Sequence, residues 1–237
     1  MFDARLRRVM EPALGRAAGW LDRPWITPDR LTGLNLVLGL ASAVLAAVQW
    51  WLPALAAWLL CRVADGLDGP LARRRNARAG TEDTGRGGFW DICADFIVYG
   101  ATVVGVGIGA TEGFGAPWLP FLLVLFAYYI NGTAFLAFSS IAEKTGRQLW
   151  DGRSLSFLGG LTEGAETVAV HSLWLVLPGA AWEIAAVWAL LVTASGVQRI
   201  IAGYRSLGEV RAGPASGAGT RPAPPLPRAC LATPDAP

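Results

Sequence analysis

The sequence predicts an all-α membrane protein: six transmembrane helices behind an N-terminal amphipathic interfacial helix, with both termini cytoplasmic. Three observations predict it. Of 237 residues, 53% are hydrophobic and only 16% are charged, whereas a soluble domain carries about a quarter charged residues. Six stretches approach the roughly 20 mostly apolar residues that a spanning helix needs. The basic residues sit on alternate connections. The net charge of +2 gives no support to a nucleic-acid partner.

Residues 1–26 mix Arg5, Arg7, Arg8, Arg16 and Arg23 with Leu6, Val9, Met10, Leu14 and Leu21. No 7–15-residue apolar core or small-residue cleavage site follows the basic start, so the segment does not read as a signal peptide. It reads as an amphipathic helix lying on a membrane surface. The spans follow at about Leu31–Trp51, Leu52–Ala72, Phe89–Ala110, Trp118–Ile141, Leu155–Leu177 and Trp182–Tyr204. Residues 27–205 thus form a six-helix transmembrane domain. Residues 206–237, rich in Pro, Ala and Gly, cannot bury enough apolar surface to order themselves and read as a disordered tail.

The connections after the first, third and fifth spans hold no Lys or Arg. Of the 20 Lys and Arg, all but Arg62 lie at the other ends of the spans or in the terminal segments. Positive connections stay cytoplasmic, which puts both termini inside, and an even span count agrees. Cys61, Cys93 and Cys230 fit neither a disulfide framework nor a zinc site; Cys61 and Cys93 read as small buried residues.

Four carboxylates are out of place in this apolar chain. Asp65 and Asp68 are three apart in the second span, and Asp91 and Asp95 are four apart in the third. Each spacing puts the pair on one helix face. The two helices are antiparallel neighbours, and both pairs lie near the cytoplasmic ends, so they can meet at one depth. An aspartate deep in a bilayer costs at least ~2.5–3.5 kcal/mol, and four together repel one another. A cation must compensate them. Arg side chains could serve, but carboxylates without His or Cys suit hard divalent ions such as Mg2+ or Mn2+. Gly66, Gly69 and Ala72 on the second span, with Gly87 and Gly88 before the third, allow close helix packing or close approach of a ligand. Arg73 can fork onto phosphate oxygens. Together these residues describe a site for a pyrophosphate-bearing molecule, and two metals could clamp attacking and leaving oxygens.

Asp65-x2-Asp68-Gly69-x2-Ala72-Arg73 followed by Gly87-x3-Asp91-x3-Asp95 resembles the signature of CDP-alcohol phosphatidyltransferases. The resemblance covers roughly residues 1–205. One departure is the segment 74–86, several residues longer than the family's usual spacing, which is tolerable at a surface loop. The resemblance implies two divalent metal ions, Mg2+ or Mn2+, ligated by Asp65, Asp68 and Asp91. Asp95 would share in ligation and act as the catalytic base on the acceptor hydroxyl. It further implies that Gly69, Ala72, Arg73 and Gly87 meet the CDP moiety of CDP-diacylglycerol or a related CDP-alcohol, that CMP is released, and that the enzyme is a homodimer in a bacterial inner membrane with its active site facing the cytoplasm. Thr27-Pro28-Asp29-Arg30-Leu31-Thr32 resembles the family's opening motif, making Asp29 and Thr32 candidate CDP-lipid contacts; it also reads as a helix start.

The acceptor side is less specific. Ser139, Lys144, Arg147, Arg153 and Arg199 would favour a small alcohol or alcohol phosphate, or act as plain positive-inside anchors. Glu163 and Glu166, in Gly160-Leu161-Thr162-Glu163-Gly164-Ala165-Glu166-Thr167, resemble a run found in one bacterial subgroup of the family. They could bind acceptor hydroxyls or pair with Arg153. Two other readings compete with the transferase: a small cation transporter, opposed by the absence of repeats and broken helices, and a catalytically idle scaffold.

Overall fold

The computed structural model describes residues 2–80, 84–145 and 164–208. The described residues are helical with no strand: α1 (Phe2–Leu21), α2 (Pro28–Ala47), α3 (Trp51–Ala79), α4 (Arg86–Phe114), α5 (Leu119–Lys144), α6 (Gly164–Val176) and α7 (Ala181–Gly208), with a 3-10 turn at Pro178–Ala180 before α7. Four helical stretches are long and apolar enough to cross a membrane: Pro28–Ala47, Arg86–Phe114, Leu119–Lys144 and Pro178–Gly208. The 29-residue α3 is long enough but carries charge. The start predicted for the fifth span, with Arg147, Arg153 and Glu163, lies outside the described residues.

Helix ends follow from local chemistry. Thr27 caps α2, its Oγ1 accepting from the Arg30 N–H at 3.2 Å, and Pro28 stands where a free N–H is not needed. α3 and α4 end on left-handed glycines, Gly80 (φ 62°) and Gly115 (φ 67°), where a Cβ would be strained. Several helices outrun the apolar stretches that predict them. α3 continues seven residues past Ala72 to Ala79 through Arg and Ala, good helix formers. α7 continues through Gly208, so Ser206, Leu207 and Gly208 are helical and not part of a tail.

Two packing seams position the site. Along the first, α2 and α4 approach backbone to backbone. A Cβ on Gly105 would collide with the Ala43 carbonyl oxygen, and one on Gly109 with that of Ala46. This is the close approach that a small-x3-small repeat permits. Gly105→Val is expected to lose more than the ~1–3 kcal/mol usual for overpacking, because backbone cannot yield. Gly100→Val, facing open space, should be tolerated; thermal unfolding in detergent compares the two. Around this seam lies the main core, including Trp58, Val98, Val103, Val106, Phe121, Val124, Trp174 and Val192.

The second seam docks α1. Ala18, Leu14 and Leu21 pack on Leu67 and Leu71 of α3, with Leu31 and Ile26 closing the cluster. Asp22, just after α1, accepts from Arg75 Nε at 3.0 Å, Arg78 Nη1 at 2.8 Å and Arg74 Nε at 3.4 Å. Arg75, helped by Arg78 and Arg74, holds the Asp22 carboxyl below the usual carboxylate range, outweighing partial burial. A depressed carboxyl stabilises above its unfolded value of about 3.9 and loses that contribution as pH falls through its folded value. The clamp should therefore persist at neutral pH and weaken only in acid below about pH 4. Asp22→Asn should cleave several-fold faster at Arg16 and Arg78 in limited tryptic digestion, unless α1 is held by its apolar face alone.

Candidate active site

The α2–α3–α4 sector gathers the carboxylates. α3 runs antiparallel to α2, so Thr32 and Asn35 of α2 face Asp68 and Asp65 of α3. Thr32 Oγ1 donates to Asp68 Oδ2 at 2.6 Å, and Asn35 Nδ2 donates to Asp65 Oδ1 at 3.1 Å. Both α2 side chains are buried, so each carboxylate is held from behind by a side chain with little freedom. α4 brings Asp91 and Asp95 alongside. Asp65, Asp91 and Asp95 each offer a ligand atom such that all three lie within 4.8 Å of one another. Asp68, 8% exposed, stands outside this trio and beside Thr32.

The arrangement fits a divalent ion. The three side chains are half-buried, all donors are hard oxygens, and the buried Asp91 Oδ1 finds no hydrogen-bond donor among the described residues. A buried carboxylate oxygen without a donor is costly, and a cation would satisfy it. The only histidine, His171, is fully buried elsewhere, its Nε2 against the Tyr128 hydroxyl at 2.8 Å. It cannot join the group.

A family model for CDP-alcohol phosphatidyltransferases matches residues 25–198. The chain belongs to the CDP-alcohol phosphatidyltransferase family. Inner membrane protein YnjF of Escherichia coli (strain K12) is 37% identical over 213 residues, spanning 87% of this chain and 97% of the relative. A crystal structure of Mycobacterium tuberculosis phosphatidylinositol phosphate synthase (PgsA1) with CDP-DAG bound superposes with a TM-score of 0.64 at 22% identity. It covers 82% of this chain and 95% of that one, and it shows a shared fold.

Within this transferase fold, the other expected site residues lie as follows. Arg73 is exposed one turn beyond Gly69; a Cβ on Gly69 would sit 3.3 Å from its Nη1, so the guanidinium folds back over that glycine. Gly87 opens α4 and has open space around it. Asp29 pairs with Arg86 across the α2 and α4 starts at 3.2 Å, both side chains exposed. Thr32 is buried with its hydroxyl committed to Asp68, so it supports a carboxylate.

On the acceptor side, Ser139 is 2% exposed and points into the bundle. Arg199, 7% exposed, donates to Asn131 Oδ1 at 3.0 Å. Lys144 ends α5 exposed, and Glu166 lies half-buried in the first turn of α6. Arg62 and Asn35 are the site residues that the sequence reading passes over. Arg62 Nη1 lies 3.0 Å from Asp95 Oδ1 and 3.6 Å from Asp65 Oδ2. The signal was present: an Arg inside an apolar helix three residues before an Asp is a functional candidate in its own right.

Proposed function

We propose that the chain is a multi-pass inner-membrane enzyme of phospholipid biosynthesis. It transfers a phosphatidyl or other substituted phosphate group from a CDP-linked lipid, such as CDP-diacylglycerol, to an alcohol or alcohol phosphate, releasing CMP. The observation that carries this reading is the convergence of Asp65, Asp91 and Asp95 within 4.8 Å in a chain of this family. Asp65, Asp68 and Asp91 would hold two divalent ions, Mg2+ or Mn2+, with Asp95 sharing in ligation. Bound there, the ions would neutralise charge on the diphosphate and on the departing CMP.

The chain's own residues do the rest. The acceptor hydroxyl attacks the phosphorus that carries the lipid, and the P–O bond to CMP breaks. An alcohol holds its proton far above neutral pH, so Asp95 takes it as attack proceeds. Thr32 and Asn35 keep Asp68 and Asp65 from turning away. Arg73, beside Gly69 and Ala72, binds the diphosphate, with Asp29 and Gly87 near the nucleotide. Ser139, Lys144, Glu166 and Arg199 are the candidates for the acceptor among the described residues, and Arg147, Arg153 and Glu163 are candidates outside them.

The proposed placement takes α2, α4, α5 and α7 as spans and counts α3 and the span that ends in α6 to reach six, with residues 27–205 as the catalytic domain. Exposed Trp20 and Trp25 lie at the end holding the site, and exposed Trp50 and Trp118 at the opposite end. Such aromatic residues mark the two membrane interfaces. The positive connections then put the site and both termini in the cytoplasm, and α1 lies along that surface. The family's homodimer is the proposed assembly.

The test is CMP release from CDP-diacylglycerol by the purified chain with Mg2+ or Mn2+ and a panel of alcohols and alcohol phosphates. Release that requires one acceptor and the metal supports the reading. A chain that neither releases CMP with any acceptor nor binds CDP-diacylglycerol refutes it.

A further inference from the structure

Arg62 is the one cation inside the carboxylate group among the described residues. Its side chain is 8% exposed. Nη1 reaches Asp95 Oδ1 at 3.0 Å, Asp65 Oδ2 at 3.6 Å and the Tyr99 hydroxyl at 3.0 Å. Nη2 donates to Asn35 Oδ1 at 2.6 Å. The guanidinium lies over Trp58 and Tyr99, with its carbon 5.0 and 5.1 Å from the ring centroids. Its contacts to Asp95 and Asp65 use oxygens of two of the three side chains that would hold a metal.

The geometry points to Arg62 as a built-in competitor of the divalent ion, setting how tightly the carboxylates hold metal. This inference rests on the metal reading of the site. An oxygen turned to the guanidinium shares its lone pairs and its negative charge with Arg62, so an incoming ion must compete with that contact. A guanidinium held close to bound metal also repels it, and in a half-buried site that repulsion is weakly screened. Arg62 can yield the carboxylates without being stranded. Asn35 Oδ1, the Tyr99 hydroxyl and two ring faces remain to hold it. Two divalent ions balance four carboxylates by themselves, so with Arg62 beside them the loaded site carries one excess positive charge, suited to a diphosphate-bearing donor. Arg62 is thus a positioning residue, acting through Asp65 and Asp95.

The test is Mn2+ affinity of the full chain in detergent, read by electron paramagnetic resonance without nucleotide or lipid substrate. Arg62→Gln and Arg62→Met are expected to bind Mn2+ at least about tenfold more tightly than the unsubstituted chain, or about 1.4 kcal/mol. Arg62→Lys, which keeps the charge, should stay close to the unsubstituted value. Unchanged or weaker binding in both neutral variants overturns the inference and leaves the metal reading intact. An unsubstituted chain that binds no Mn2+ overturns the metal reading and this inference with it. Neutral variants that fold only with Mn2+ present support the inference. Neutral variants that stay unfolded even with Mn2+, while Arg62→Lys folds, overturn it, because the charge would then be needed with the ion bound.

Discussion

Asp95→Asn is expected to lower CMP release by about 10²–10⁴-fold, the range removed with a positioned general base, while CDP-diacylglycerol binding stays within a few-fold. Asn is nearly the same size and still offers Oδ1, which can ligate a metal weakly. What it cannot do is accept the acceptor's proton. With Mn2+ at saturation, the loss should therefore fall on kcat, with little change in the donor's apparent affinity. The substitution also removes the charge, though not the Oδ1 acceptor, that Arg62 meets at 3.0 Å, leaving Asp65 as the charged partner of that guanidinium. A modest loss of folded stability, on the order of 1 kcal/mol, can accompany it and is measured separately by thermal unfolding. The outcome that sinks the assignment is a folded Asp95→Asn protein with near-normal turnover. The same variant separates the competing readings, since a cation pathway would lose flux and a scaffold would lose nothing.

The sequence made the carboxylates legible for a simple reason. Spacings of three and four on a helix are geometric facts, and Asp in an apolar stretch stands out against its surroundings. The structure brings Asp65, Asp91 and Asp95 within 4.8 Å of one another. It separates Asp68, whose Oδ2 is bound by Thr32. Nothing local to Asp68 signals this, because the bond joins residues 36 positions apart through helix pairing. The same limit hid Asn35, 30 positions from Asp65, and left Ser139 among open candidates when packing buries it. Element ends were missed for a different reason. Hydropathy reports the solvent a helix crosses, whereas α3 and α7 continue past the apolar stretch on helix-forming residues and, for α3, on the Asp22 clamp. The Arg residues at 74, 75 and 78 read as plain cytoplasmic charges until Asp22 is seen to gather them.

Asp91→Asn is expected to move metal binding and bare stability in opposite directions. Asp91 supplies one of three ligand atoms within 4.8 Å, and its buried Oδ1 has no donor among the described residues. Replacing it removes a full negative charge from the ligand set, so Mn2+ should bind at least about a hundredfold more weakly, or about 2.7 kcal/mol, with turnover falling to background. In the presence of chelator the sign reverses. Like charges within 4.8 Å of one another repel by a few kcal/mol at an effective dielectric of ~20, which Arg62 and partial exposure reduce. Asp91→Asn relieves about 1 kcal/mol of that repulsion, which for a chain of this size raises the unfolding midpoint by roughly 2–4 °C in EDTA. Adding Mn2+ should then stabilise the unsubstituted chain well above the variant, as ligand linkage requires. A lower midpoint in EDTA together with unchanged Mn2+ affinity would mean that Asp91 is a structural carboxylate. The expected crossing of the two stability series instead places it where sites of this kind keep charge at the expense of the fold.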